Sequence, residues 1–119
     1  MVIWITGKAG AGKTSYARYL LYHYGYKSVL LDGDNLRKYF PTGFSDEERE
    51  KLNMTTARIA ALLEEQGFIP IVAKISGRKK WRQDARKLFK KSKLIYMEGG
   101  TVWDDNPYEE PDAEELADE

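Results

Sequence analysis

The sequence predicts an α/β fold, a three-layer α/β/α sandwich around a small parallel sheet. Two observations carry this. Short apolar runs alternate along the chain with stretches of helical periodicity, and the first run ends in a glycine-rich loop that opens a helix. Strands separated by helices pair in parallel through right-handed crossovers.

Val2-Ile3-Trp4-Ile5 reads as a buried strand because it is apolar throughout and ends at the glycine loop. A helix follows from Gly12 or Lys13 to about Tyr24, with Ala17, Leu20, Leu21 and Tyr24 on one face and Gly25 as its stop. Ser28 to Leu31 is a second strand, ending at Asp32-Gly33-Asp34. A short helical piece runs to the Phe40-Pro41 break, and Thr42-Gly43-Phe44 is loop. Ser45 with Glu48 three residues on is a capping box that opens a long helix to about Gln66, and Gly67 ends it. Phe68 to Ala73 is the third strand, Arg78 to Lys91 a basic helix, and Leu94 to Met97 the fourth strand. The acidic stretch from Glu109 to Glu119 reads as a mobile tail.

The 119 residues suffice for one domain and are too few for two, and hydrophobic residues at 42% can build one modest core. A formal net charge of zero gives no general attraction to nucleic acid or to an anionic membrane. With no cysteine, thiolate chemistry, thiolate metal sites and disulfides are excluded. No apolar run approaches the roughly 20 residues of a membrane helix. The N-terminus runs straight into a motif with no signal peptide, so a soluble cytoplasmic protein is expected. A homodimer would cover an exposed sheet edge, but no feature of the sequence specifies one.

Gly7-Lys8-Ala9-Gly10-Ala11-Gly12-Lys13-Thr14 matches G-x-x-x-x-G-K-[ST] in full, and Ser15 follows. Glycines let the backbone wrap an anion with successive N–H groups pointing inward, and the following helix offers its positive end. Lys13 is placed to reach the β- and γ-phosphates of ATP, and Thr14 to ligate Mg²⁺.

Ligands of open parallel sheets bind beyond the carboxyl ends of the strands. The tip of the second strand therefore faces the same site. A carboxylate of Asp32 or Asp34 there suits proton acceptance from an attacking hydroxyl, or holding water on a metal. Arg37, one turn on, suits an anionic substrate group, although Asp-Gly-Asp-Asn is also ordinary turn and cap chemistry.

The P-loop, Leu31-Asp32-Gly33-Asp34-Asn35-Leu36-Arg37, Gly43-Phe44-Ser45, Ile75-Ser76 and Asp105-Asn106-Pro107-Tyr108-Glu109-Glu110-Pro111 occur in the order found in adenylylsulfate kinases, and the chain resembles that family over nearly its whole length. The resemblance implies a P-loop NTPase fold similar to nucleotide kinases. It implies phosphoryl transfer from MgATP to the 3′-hydroxyl of adenosine 5′-phosphosulfate. It places Lys13, Asp32 and Asp34 at the chemistry, with Asp34 also among the groups that hold the acceptor. Arg37 and Arg49 would hold the phosphosulfate, Phe44 would stack on the adenine, and Ile75 and Ser76 would line the same pocket.

The sequence also departs from the family pattern. The family's substrate-binding asparagine falls on Leu52, with Asn53 one residue out of register, about 100° around a helix. Its Ser-Pro is Ser76-Gly77, and its basic lid after the fourth strand is absent, so that Met97-Glu98-Gly99-Gly100 leads almost directly to Asp105. Compensating charge is available from Lys79, Lys80, Arg82 or Arg86, of which Lys79, Arg82 and Arg86 share a helix face, although the same helix also reads as a solvated surface. Three functions stay open at this point: a small-molecule kinase with ATP as donor, a kinase acting on a nucleic-acid end, and a nucleotide-binding module with little catalysis.

Overall fold

The computed structural model describes residues 1–102 and 106–117. Four strands, β1 (Val2–Gly7), β2 (Ser28–Asp32), β3 (Ile69–Ala73) and β4 (Ser92–Met97), form one parallel sheet in the order β2-β3-β1-β4. Around it lie α1 (Lys13–Tyr24), α2 (Gly33–Tyr39), α3 (Asp46–Glu65), α4 (Lys79–Arg86) and α5 (Ala113–Leu116).

Side chains alternate across a strand, and β1 supplies both faces of the core. Ile3 and Ile5, in register with Ile71 and Ala73, pack on Ala17 and Leu20 of α1. Val2 and Trp4, with Val72, pack on Ala57 and Ala60 of α3 and on Ala85 and Phe89 at α4. This is the three-layer arrangement expected, and every residue of β1 is buried. Both central strands end toward the same edge of the sheet, so the loops after β1 and β3 emerge side by side.

Two expectations need correction. Tyr24 does not join the buried face of α1; it is exposed, and only Ala17 and Leu20 of that helix are fully buried. Ser45 caps α3 as expected, accepting from the Glu48 N–H at 3.2 Å, and the Glu48 carboxylate reaches back over the cap, accepting from Ser45 Oγ at 2.8 Å and from the Gly43 N–H at 2.6 Å. The basic helix stops at Arg86 rather than Lys91. Tight turns close from Leu88 N–H to Ala85 and from Phe89 N–H to Arg86, and the Glu64 carboxylate takes the N–H groups of Lys90 and Lys91, steering the chain into β4.

The acidic tail, expected to be mobile, packs against α4 as far as Ala117. Asp112 and Glu115 form a capping box for α5, and Glu115 is buried with Arg82, whose Nε and Nη2 donate to its two carboxylate oxygens at 2.9 and 3.1 Å. Lys79 pairs with Asp112 at 2.6 Å. Composition suggested solvation of these acids; charge complementarity with α4 overrides it, with a guanidinium fork matching a carboxylate. Asp105, part of the motif that carries the resemblance, lies outside the described residues, as do Trp103, Asp104, Asp118 and Glu119.

Candidate active site

The loop after β1 takes the shape its glycines permit. Gly10 and Gly12 adopt φ of 78° and 93°, left-handed values that disfavour side-chain-bearing residues, and α1 starts at Lys13. The Lys13 ammonium donates to the Lys8 carbonyl at 2.7 Å, across the concave side of the loop. Burial holds its pKa below the usual lysine range, and the carboxylates of Asp32 and Asp34 oppose that shift. The short link after β4 returns against the loop: Thr101 N–H donates to the Ala9 carbonyl at 2.9 Å, and a Cβ on Gly100 would stand 2.5 Å from that same oxygen.

A cleft of about 700 Å³ opens beyond the strand ends. On one wall it exposes Ala9, Gly10, Gly12, Lys13, Thr14 and Ser15. Asp32, Asp34 and Arg37 form the β2 side, Phe44 and Arg49 the α3 side, and Ile75 and Ser76 the floor beyond β3. Of the residues expected at the site, Gly7, Lys8 and Ala11 do not line this cleft. Gly7 closes β1, where a Cβ would stand 2.7 Å from the Met97 carbonyl, and Lys8 turns toward Glu110 at 3.8 Å. The Lys8 carbonyl nevertheless organises the loop, accepting from Ala11 N–H as well as from Lys13.

Thr14 Oγ1 donates to Asp32 Oδ1 at 3.2 Å, which puts a hydroxyl and a carboxylate side by side next to the phosphate loop. Among the described residues no cluster of three or more carboxylates and histidines gathers around a point. Hard oxygen donors few in number suit Mg²⁺, which keeps most of its shell as water and phosphate oxygens.

Phe44 is not a core aromatic: it is 59% exposed and carries the Arg37 guanidinium 4.3 Å above its ring, with that of Arg49 at 5.8 Å. Arg37 also donates to the Gly43 carbonyl at 3.1 Å, so it braces the loop that presents Phe44.

The floor is fixed by a buried network. Ser76 has φ of 49°, and its hydroxyl accepts from Trp4 Nε1 and donates to Asn53 Oδ1, each at 3.0 Å. Arg82 Nη1 donates to the Ser76 carbonyl at 2.7 Å, and Thr6 Oγ1 to that of Ile75. Gly77 accepts Glu109 N–H at 2.8 Å and lies against Pro107, where a Cβ would stand 2.9 Å from the carbonyl oxygen. The cations considered as replacements for a lid do not face the cleft. Arg82 is spent on Glu115 and Ser76, Lys79 on Asp112, Lys80 on Asp84 and Glu50, and Arg86 on Ser92 and the Glu115 carbonyl.

Asn53 and Lys74 take places in the cleft that the sequence did not assign them. Asn53 is 2% exposed and lines the cleft, with Nδ2 donating to the Trp81 carbonyl at 3.1 Å. Its neighbour Leu52 is buried as an apolar residue, so the helical phase puts the amide, not the leucine, beside Ser76. Lys74 lines the cleft directly after β3. Its place at the carboxyl end of a central strand was the available signal.

Residues 1–112 match the model of the adenylylsulphate kinase family. A probable adenylyl-sulfate kinase of Archaeoglobus fulgidus is 45% identical over 100 residues, covering 80% of this chain and 64% of the relative, so the chain spans less than two thirds of that protein. A solved APS kinase structure from Mycobacterium tuberculosis superposes with a TM-score of 0.76 at 30% identity, covering 92% of this chain and 78% of the other. A Pnkp1/Rnl/Hen1 complex structure matches at 16% identity and a TM-score of 0.66, covering 82% of this chain and 35% of the other, which shows a shared fold and lends no support to a nucleic-acid end as acceptor. With its phosphate loop, strand-2 carboxylates and Gly-Phe-Ser loop gathered on one cleft, the chain belongs to the adenylylsulphate kinase family.

Proposed function

We propose that this chain is an ATP-dependent kinase that phosphorylates the 3′-hydroxyl of adenosine 5′-phosphosulfate. The observation that carries the reading is one continuous cleft joining the phosphate loop to Asp34, Arg37 and Phe44. Donor and acceptor can meet there without crossing the sheet.

The backbone N–H groups of the loop and the Lys13 ammonium take the β- and γ-phosphates of ATP. Mg²⁺, when bound, neutralises phosphate charge, and Thr14 Oγ1 is the side chain that would hold it. Asp32 orients that hydroxyl through their hydrogen bond. Asp34 is then the carboxylate left to take the acceptor's proton. The acceptor oxygen forms its bond to the γ-phosphorus as the bond to the β–γ bridging oxygen breaks, and ADP leaves with that electron pair. The exposed part of the Phe44 ring offers a stacking surface for adenine, while Arg37 and Arg49 supply positive charge for the phosphosulfate. No described helix is long and apolar enough to cross a membrane. A reaction that consumes ATP in this way is proposed for the cytoplasm.

The test is transfer from γ-labelled ATP to adenosine 5′-phosphosulfate with Mg²⁺, beside Lys13→Ala and Asp34→Ala. Transfer abolished by both substitutions supports the reading. ATP binding without transfer to this acceptor refutes it.

A further inference from the structure

Lys74 is the first residue beyond β3, and its N–H donates to the Ile5 carbonyl at 3.1 Å, which pins it to the ligand-facing end of the sheet. Since β3 lies between β1 and β2, the residue stands between the phosphate loop and the Asp32–Asp34 turn. Its side chain runs past Gly33: a Cβ there would be 3.5 Å from Lys74 Cγ and 3.9 Å from Nζ. The ammonium is thus delivered to the β2 side of the cleft, away from the Lys8 carbonyl that holds Lys13.

Among the described residues this ammonium makes no hydrogen bond and no close ion pair. Its charged neighbours are Arg37 and Asp34 of α2 and Asp32 of β2. Of these, Asp32 accepts from Thr14, and Arg37 is bonded to Gly43 and stacked on Phe44. An ammonium carries three donors and no acceptor, and leaving them unmet in a partly dry cleft is unfavourable until an anion arrives.

We propose that Lys74 is the acceptor-side anion contact of this cleft and selects acceptors that carry a sulfate or phosphate group. The identity of the acceptor rests on the function proposed above. Lys13 serves the donor phosphates, and Lys74 serves the acceptor's anionic group, beside Arg37. Burial and the neighbouring Arg37 charge bring the Lys74 pKa down to about 8, so the group is mostly charged at neutral pH and gains from a bound anion.

Calorimetric titration of the full chain, its Lys74→Met and its Lys74→Arg variants tests this, with adenosine 5′-phosphosulfate and a non-hydrolysable ATP analogue as separate ligands. The expected result is a loss of about tenfold or more in acceptor affinity for Lys74→Met, with most of it retained in Lys74→Arg and analogue binding unchanged. Unchanged acceptor affinity in Lys74→Met overturns the proposal, as does an equal loss for both ligands, which marks a structural role. If the unaltered protein binds no adenosine 5′-phosphosulfate, the acceptor assignment fails by itself. Lys74 is then judged by NMR of the reductively ¹³C-methylated protein, its signal assigned by its absence in Lys74→Arg. A Lys74 shift on adding inorganic sulfate or phosphate supports the anion contact, and no shift overturns it.

Discussion

Arg82 and Glu115 face each other across the chain's C-terminal return, 2.9 Å apart from Nε to Oε1, with side chains 1% and 0% exposed. Removing one partner of a buried pair leaves an uncompensated charge, which typically costs about 3–5 kcal/mol. Glu115→Gln keeps the shape and removes the charge, so it isolates this term. We expect it to destabilise the fold by about 3 kcal/mol in urea unfolding. The same arginine fixes the Ser76 carbonyl, so the acceptor KM should rise as well.

Asn53→Ala should weaken the same floor from the other side. The amide spans from the Ser76 hydroxyl to the Trp81 carbonyl, and truncating it leaves both in a buried setting. Losing partners of this kind costs about 1–3 kcal/mol. Ser76, held at φ of 49°, loses one of the contacts that keep it in that conformation. Urea unfolding measures the first effect. A double-mutant cycle with Glu115→Gln measures the coupling, and we expect it to be non-additive because Asn53 bonds Ser76 directly and Glu115 holds the Arg82 that bonds the Ser76 carbonyl.

These two networks mark where the sequence stopped being legible. The strands, the phosphate loop and the strand-2 carboxylates were readable because each depends on local pattern: an apolar run, a glycine spacing, a turn. Glu115 was not, since a carboxylate in an acidic tail looks solvated until a guanidinium from another helix meets it. Asn53 was visible only as a residue out of register. Its role follows from the phase of α3 against β3, which depends on packing across the sheet. The partner of Arg82 was illegible for the same reason, since this arginine lies on a basic helix whose charges turn to the C-terminal segment instead of the cleft.

Phe44→Ala should separate acceptor from donor. The ring projects from a loop braced by Arg37 and by the bond from Gly43 N–H to Glu48, and it adds little to the core. Stacking of a base on an aromatic ring contributes about 1–3 kcal/mol. We expect the acceptor KM to rise about tenfold, with affinity for an ATP analogue and the unfolding midpoint nearly unchanged. Equal effects on both ligands would show that Phe44 shapes the cleft as a whole.

Lys74 should make stability and binding move in opposite directions. Its pKa is lowered to about 8 from the usual 10.5, with burial the main cause and the Arg37 charge second. Below pH 8 the folded and unfolded states both carry the charge, and the folded state bears the desolvation cost. Between about 8 and 10.5 the folded state has released its proton while the unfolded state retains it, so this group's contribution to stability rises with pH across that window. Lys74→Met removes the charge from both states. It should therefore be more stable than the unaltered chain at pH 7, by about 2 kcal/mol once solvent screening is allowed for. The difference should shrink as pH climbs through that window. Urea unfolding of both proteins at pH 7, 9 and 10.5 measures the trend, and taking the difference cancels the other lysines. A variant that gains stability at pH 7 while losing acceptor affinity would show that the charge is kept at the site against its folding cost, and binding an anionic acceptor is what it serves.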